Sequence, residues 1–466
     1  MKRRRSRVLA SIFAAAALAA VAAAGSREEI VKNFEKTVTL TSGQRLSVEN
    51  KHGDIRIRTH KGNELKITAR IHGSSSDPDE IKKFLEAVQI EVEQNSGGVS
   101  VRTAYPENGG WFRGSRQVSF CVDYDILMPE SAPLEVRCRF GDVDVEGARG
   151  SADIKNANGK LNVRDGKGML RVENQFGPVD LAKIQGDVAV TDSNGTVTAA
   201  DIDGALEIRN RFGRVSVARA SKGVRVVSGN GAVLLESCGG MASVDNSFGG
   251  VEIRSLKGSL TVENTNGATT VQDVAGNLSV RGSFGTMDLS DIGGPAEVKN
   301  ANGAIKLRSV KGGATVKTSF GMVECAQIDG DLTVENANGA VRASDVKGGA
   351  NVRTSFASVT LSGISGRVRV DNQNGSIDAR GLGSRKGNCQ PVELKTSFSS
   401  IKVALPEDVG WNVDARTSFG RIQAELPITV VGSLSTESIQ GKIGDGSCPL
   451  TLSNNNGSIE ILKAAK

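Results

Sequence analysis

The residues able to do chemistry are few and poorly placed for it. Three histidines, His52, His60 and His72, are the only ones in 466 residues, and each stands within two positions of a glycine. That setting reads as turns, and a metal site would require all three to converge. With no histidine beyond position 72, a Ser-His-Asp triad is excluded from the rest of the chain. No nucleophile-elbow, P-loop or dinucleotide glycine phrase occurs. Carboxylates remain as the one acid-base resource. Asp165, Asp201, Asp273, Asp291 and Asp345 fall at multiples of eighteen residues from one another, so they read as one recurring corner position and not as the close pair that glycoside hydrolysis needs. Calcium between Asp201 and Asp203, or between Asp329 and Asp331, would need further oxygen ligands that the sequence does not point to. No catalytic residue, cofactor or metal is therefore expected. A carbohydrate-active enzyme built on the same scaffold is the rival reading, and it would require paired carboxylates in a cleft.

The six cysteines, Cys121, Cys138, Cys238, Cys325, Cys389 and Cys448, are irregularly spaced with no CxxC, which gives no support to zinc or a thioredoxin-like motif. Cys138, Cys238 and Cys325 stand in columns of the repeat described below, where free thiols act as small core residues. A bridge between Cys389 and Cys448 is the less favoured alternative to free thiols there.

The chain opens with Lys2, Arg3, Arg4, Arg5 and Arg7, an alanine-rich run, and Ala22-Ala23-Ala24. This reads as a signal peptide over residues 1–24, implying export to the periplasm, cell surface or medium. The formal charge of +6 contains those five basic residues, leaving +1 for the remainder. A chain so close to neutrality gives no reason to propose nucleic acid or an anionic membrane as partner, and no transmembrane segment is expected after the leader.

The elements that would position any site are set by a repeat. A glycine recurs at 141, 159, 177 and onward in steps of eighteen to 339, with Ala357 and Gly375 continuing the series. The residue before it alternates between Phe140, Phe176, Phe212, Phe248, Phe284, Phe320 and Phe356 and the asparagines of Asn158-Gly159, Asn194-Gly195, Asn230-Gly231, Asn266-Gly267, Asn302-Gly303, Asn338-Gly339 and Asn374-Gly375. The full sequence period is thus thirty-six. Between markers, apolar residues alternate with polar ones, as in Val179, Leu181, Ile184 and Val188, with skips that mark corners. Fifty-six glycines against ten prolines, with few aromatics, suit many short strands joined by tight turns.

Short strands with one apolar face gain stability by stacking, which predicts an all-β solenoid, or parallel β-helix, of eighteen-residue units. A run of antiparallel hairpins would leave its apolar face uncovered. A coil takes either eighteen residues, stacking Phe on Asn, or thirty-six, stacking like on like. The Asn-Gly pairs are expected to form corners and the Phe column to be core. A second column, including Asn156, Asn174, Asn210 and Asn336, should face inward as an amide ladder. The column of Lys155, Glu173, Lys317 and Glu335 should face water with mutually compensating charges.

Residues 25–135 depart from the repeat and read as a β-rich cap with one helix at about 78–88, where Asp77 is the N-cap and Pro78 the first helical residue. Trp111, in "YPENGGWFRGS", is the candidate surface contact there. Regular units fill 136–384, and 385–466 reads as an irregular β-rich terminal region in which Phe398, Phe419 and Asn456-Gly457 resemble the markers.

The order of "VENKHGDIRI", a helix-bearing insert, "VDYDILMPESAPLEVRCRFGDVDVEGARG", repeated "VENANGAV" and "KTSFGMV", then "LPEDVGWNVDARTSFGRIQAELP" and "NNNGSIEILK" resembles the bacterial putative-adhesin family of β-strand-repeat proteins. It is distantly similar to the β-helical heads of autotransporter-type adhesins. The resemblance implies an extracytoplasmic solenoid that binds an envelope or surface component, protein or glycan, with some relatives linked to envelope stress. It supplies no catalytic residues. The expected function is a non-catalytic structural or adhesin-like protein of the cell envelope, the alternatives being the enzyme above or a stress sensor with a protein partner.

Overall fold

The computed structural model describes residues 29–75, 77–106, 119–385, 387–430 and 435–464. The leader and Trp111 lie outside them. The chain winds as a β-solenoid whose regular part, from Leu134 to Leu382, makes about fourteen turns, with further coils at both ends and one helix near its N-terminus. Strand register settles the coil length at eighteen residues. Ala152–Asn158 pairs in parallel with Leu170–Phe176, placing Ile154 beside Val172 and Asn156 beside Asn174. On the opposite sheet Leu161–Arg164 pairs with Val179–Gln185, placing Leu161 beside Val179. Each coil thus contributes one strand to each of two parallel sheets, and Phe stacks on Asn.

The two inner faces form a continuous core. In one coil Leu170, Val172, Val179, Leu181 and Ile184 are all buried, and each such side chain contributes about 1.5–3 kcal/mol relative to exposure. Equivalent residues lie above and below at about 4.8 Å, so no coil could retain this core alone.

Two kinds of corner join the sheets. At the marker the backbone of successive coils packs so closely that glycine stands in nearly every coil, Ala357 and Ser399 excepted: a Cβ on Gly213, where φ is +116°, would sit 2.1 Å from the Gly195 carbonyl oxygen. The other corner uses a left-handed residue six positions later. Asp165, Asp201, Asp273, Asp291 and Asp345 occupy it with φ between 54° and 61°, a region in which Asp is better tolerated than most side chains.

Both ends depart from chain order. The strands Arg45–His52 and Ile55–His60 lie between those of a coil formed by Gly98–Ala104 and Ser119–Pro129 and those of Leu134–Phe140 and Val143–Glu146. The N-terminal segment therefore supplies coils of its own. Beyond them, Ile30–Thr39 and Glu64–Ser74 add antiparallel strands and Gln89–Asn95 covers the other sheet. The helix Pro78–Ala87, capped by the Asp77 carboxylate on the Asp79 and Glu80 amides, buries Ile81, Phe84 and Leu85. At the far end Cys448–Ser453 and Ile459–Lys463 insert between Val392–Lys395 and Ile401–Leu405 on one side and Trp411–Arg416 and Ile422–Ala424 on the other. Ser438–Ile443 then adds antiparallel to Trp411–Arg416, with Thr429–Val430 beyond it. Antiparallel additions and the cap cover the otherwise open ladder ends.

Cys389 and Cys448 are disulfide-bonded, with Cα atoms 5.2 Å apart, against the expectation of free thiols. Cys138, Cys238 and Cys325 are free and buried. Burial pushes the Cys325 thiol up to about 12.

Candidate functional site

The Phe column is not core. Phe140, Phe176, Phe212, Phe248, Phe284, Phe320 and Phe356 are 41% to 56% exposed, which corrects the expectation from sequence parity. The apolar alternation runs inward through the position five before the marker and the Asn three before it. Strand pairing then skips the next residue, as at Ala157 between the pairs Asn156 with Asn174 and Asn158 with Phe176. That break turns the following side chain outward at the corner.

The result is a line of rings along one edge of the rod. Phe at one coil, Asn at the next and Phe again recur at about 4.8 Å per step. Alternation persists where the chain order does not. Phe398 bridges Asn456 in parallel, and Asn456 bridges Phe419, so the sequence Phe, Asn, Phe is restored in space from segments that are out of order in the chain. Phe398 and Phe419 are exposed as well. Duplication of a thirty-six-residue unit would account for alternation in the regular coils but not here. At the other end the line continues into His52, whose ring stacks on Phe140 at 5.3 Å and meets Tyr105 and Phe120 edge-on. Burial, with Lys51 and Arg139 nearby, holds the His52 imidazole below its usual range.

The line is stationed by the buried Asn column beneath it. Asn336 donates through Nδ2 to the Gly321 and Gly339 carbonyl oxygens at 2.9 and 3.0 Å, and Asn210 does the same to Gly195 and Gly213 at 3.1 Å. Each amide therefore ties its own corner to that of the neighbouring coil. The expected ladder among the amides themselves is seen between Asn246 and Asn264, at 3.2 Å, whereas the Oδ1 atoms of Asn156, Asn174, Asn210, Asn300 and Asn336 accept no hydrogen bond.

Charge divides the line in two. Around its N-terminal stretch stand Arg139, Asp142, Lys160, Arg211 and Arg214, and the Arg139 and Arg211 guanidinium groups sit 5.5 and 5.2 Å from the ring centres of Phe140 and Phe212. From Asn230 to Phe419, following the stack, the flanking positions are small or polar and uncharged, except Met322, which the Arg342 guanidinium meets, and Arg421 at the end. A serine precedes every Phe there: Ser247, Ser283, Ser319, Ser355, Ser397 and Ser418. A shallow groove of about 720 Å³ runs beside this neutral stretch, between Ala301, Ser319, Ala337 and Ser355 and the charged column of Lys317 and Glu335. In that column Lys317 pairs with Glu335 and Lys155 with Glu173, each at 2.9 Å, whereas Lys299 stacks on Lys317 and Asp245 on Glu263, so stacked neighbours compensate one another only in part. A second groove, of about 610 Å³ and more apolar, lies on the opposite edge of the same sheet between the exposed Met169 and Met241.

The other candidates are engaged elsewhere. Asp201 accepts from Arg219 at 2.6 and 2.9 Å, which holds its carboxyl below the usual range. Asp203 accepts from Ser221, Asp329 lies between Lys311 and Lys347, and Asp331 accepts from the Gly349 amide. His72 bridges Glu29 and Asp123 at 2.8 and 2.9 Å, while His60 contacts the Glu64 carbonyl at 2.6 Å. The Asn-Gly pairs sit at the corners, with the Asn side chains in the exposed line. Among the described residues no helix is long and apolar enough to cross a membrane.

No family model and no curated protein matches the chain. Among solved structures it is similar to a putative cell adhesion protein from Clostridium sporogenes, with 10% identity, 93% of this chain and 100% of that one covered, and a TM-score of 0.17. It is also similar to a putative adhesin from Bacteroides fragilis, with 11% identity, 67% and 97% covered, and a TM-score of 0.18. Likeness this slight bears on neither function nor ligand.

Proposed function

We propose that the protein is an exported, non-catalytic rod of the cell envelope that works by contact, in the manner of an adhesin, and that its contact surface is the exposed Phe–Asn line. Export rests on the basic, alanine-rich leader. The contact surface rests on one observation above all: nine half-exposed or more exposed phenylalanines lie along a single edge, with their alternation kept even where coils are assembled out of chain order. Exposed aromatic rows of this extent are a cost in solubility unless something covers them. A rigid two-sheet scaffold holds them at fixed intervals, which favours binding by reducing the ordering that association demands.

The test is retention on envelope fractions and whole cells, comparing the chain with a Phe284→Ser/Phe320→Ser/Phe356→Ser variant. These side chains are on the surface, so the variant keeps the fold. Saturable retention of the wild type and loss in the variant is the expected result. Equal retention of both would overturn the assignment of the line as contact surface.

A further inference from the structure

The line of rings poses a matching problem that narrows what can cover it. Successive Phe residues are two coils, or about 9.6 Å, apart, and the neutral stretch from Asn230 to Phe419 holds twelve coils in register. A ligand with its own repeat drifts out of phase over such a distance unless the two repeats agree closely. A partner with the same β-stack spacing agrees at every coil. Taking the exposed line as a contact surface, as above, we infer that its neutral stretch binds a second copy of this chain, antiparallel, with the rings of each copy seated over the asparagines of the other.

Three features carry this. The first is shape. Rings in one copy are too far apart to stack on each other, and the shorter Asn side chains leave a gap between them. Interleaving two copies places each ring about 4.8 Å along the axis from two rings of the partner, within the 4.5–7 Å range of favourable aromatic pairs. The second is symmetry. The midpoint of the neutral stretch falls between Phe320 and Asn338, and a two-fold axis there sets Phe against Asn at every coil: Phe320 meets Asn338 of the second copy, Asn302 meets Phe356, Phe248 meets Asn456, and Asn230 meets Phe419. A closed two-fold contact of this kind is self-limiting. The third is charge and area. Apart from Arg421 at one end and the Arg342 guanidinium against Met322, the flanks on this stretch are uncharged, so two copies meet with little like-charge repulsion, while the basic groups near Phe140 and Phe212 stay outside the overlap. Six half-exposed rings offer roughly 100 Å² each, and with the serines and asparagines beside them the contact reaches about 800 Å² per copy, the usual size of a stable interface.

Sedimentation equilibrium of the purified chain, extended from roughly 100 µM down to nanomolar concentrations because interfaces of this size range from micromolar to picomolar affinity, should show a monomer–dimer equilibrium little affected by salt. The Phe284→Ser/Phe320→Ser/Phe356→Ser variant, with unchanged circular dichroism, should dimerise at least a hundredfold more weakly. Register is tested by oxidation: Asn302→Cys mixed with Phe356→Cys should cross-link as a mixed dimer, and neither should cross-link alone. A chain that stays monomeric, a triple variant that dimerises like the wild type, or Asn302→Cys cross-linking to itself would each overturn the inference. A monomeric wild type whose triple variant still loses envelope retention would leave the contact surface standing with another occupant; if retention is also unchanged, both readings fall.

Discussion

Asp192 stands in the buried Asn column, paired with Asn174 on one side and Asn210 on the other. It is the one carboxylate in that column. Burial pushes its carboxyl from 3.8 up to about 6, outweighing the Ser193 amide and the Asn174 side chain, which favour the anion. Because the native state holds the proton more tightly than the unfolded chain, stability falls as pH rises through the interval between those two values, and is level above it. A shift of about two pH units at 1.36 kcal/mol each gives nearly 3 kcal/mol, and the nearness of this corner to solvent brings the expectation to about 2 kcal/mol. Asp192→Asn restores the amide that donates to corner carbonyls in neighbouring coils. The variant should therefore be more stable by about 2 kcal/mol at pH 7.5, with the advantage shrinking to a few tenths at pH 4. Guanidinium unfolding of both chains followed by circular dichroism, with equal slopes required before midpoints are compared, measures the difference. An advantage of the same size at both pH values, or a variant less stable at pH 7.5, would refute the account.

Gly285, with φ at +129° and a notional Cβ 2.1 Å from the Gly267 oxygen, should not accept alanine: Gly285→Ala is expected to lose more than about 2 kcal/mol in denaturant unfolding. Ala357 holds the same position with φ at +94°, so Ala357→Gly should be neutral or gain up to about 1 kcal/mol in the same assay. Asn336→Ala strands the Gly321 and Gly339 carbonyls and should cost about 2–4 kcal/mol, whereas Asn336→Thr should cost less, since Thr318 and Thr354 serve in that column. Opening the Cys389–Cys448 bridge, which spans 59 residues, should lower stability by up to about 4 kcal/mol, read as a drop in melting temperature with reductant that Cys389→Ser/Cys448→Ser reproduces without it.

The repeating columns made the solenoid legible in the sequence because inward positions such as Val172, Val190 and Ile208 recur every eighteen residues, but the thirty-six-residue alternation of Phe and Asn left the coil length open until strand register fixed it at eighteen. The inward Asn column followed from parity, and it is buried. Parity also misled: Phe176 shares its phase with Val172 and Asn174, but the chain bends between Asn174 and Phe176, so the rule for a straight strand fails one step short of the corner. A signal was present nonetheless. A position occupied by Phe in one coil and Asn in the next cannot be a dry core position in a stack where the two lie side by side, because the amide would be buried without partners. The order of the terminal coils was not legible. "TSFS", "TSFG" and "NNNG" each mark a corner, yet pairing between strands far apart in the chain depends on which edge remains free when each arrives.

The inserted tail strands have a mechanical consequence. A solenoid gripped at its end yields by peeling, one ladder of hydrogen bonds at a time. Here tension on the C-terminus acts on Cys448–Ser453 and Ile459–Lys463, which are bonded along both edges to other coils. They must slide lengthwise out of the stack, breaking two ladders at once, before any outer coil is released. At the opposite end Arg45–His60 is likewise clasped on both sides, but the strand before it, Ile30–Thr39, is bonded along one edge only, to Glu64–Ser74. A rod pulled from its C-terminal side would thus carry load in shear, the geometry that resists extension best.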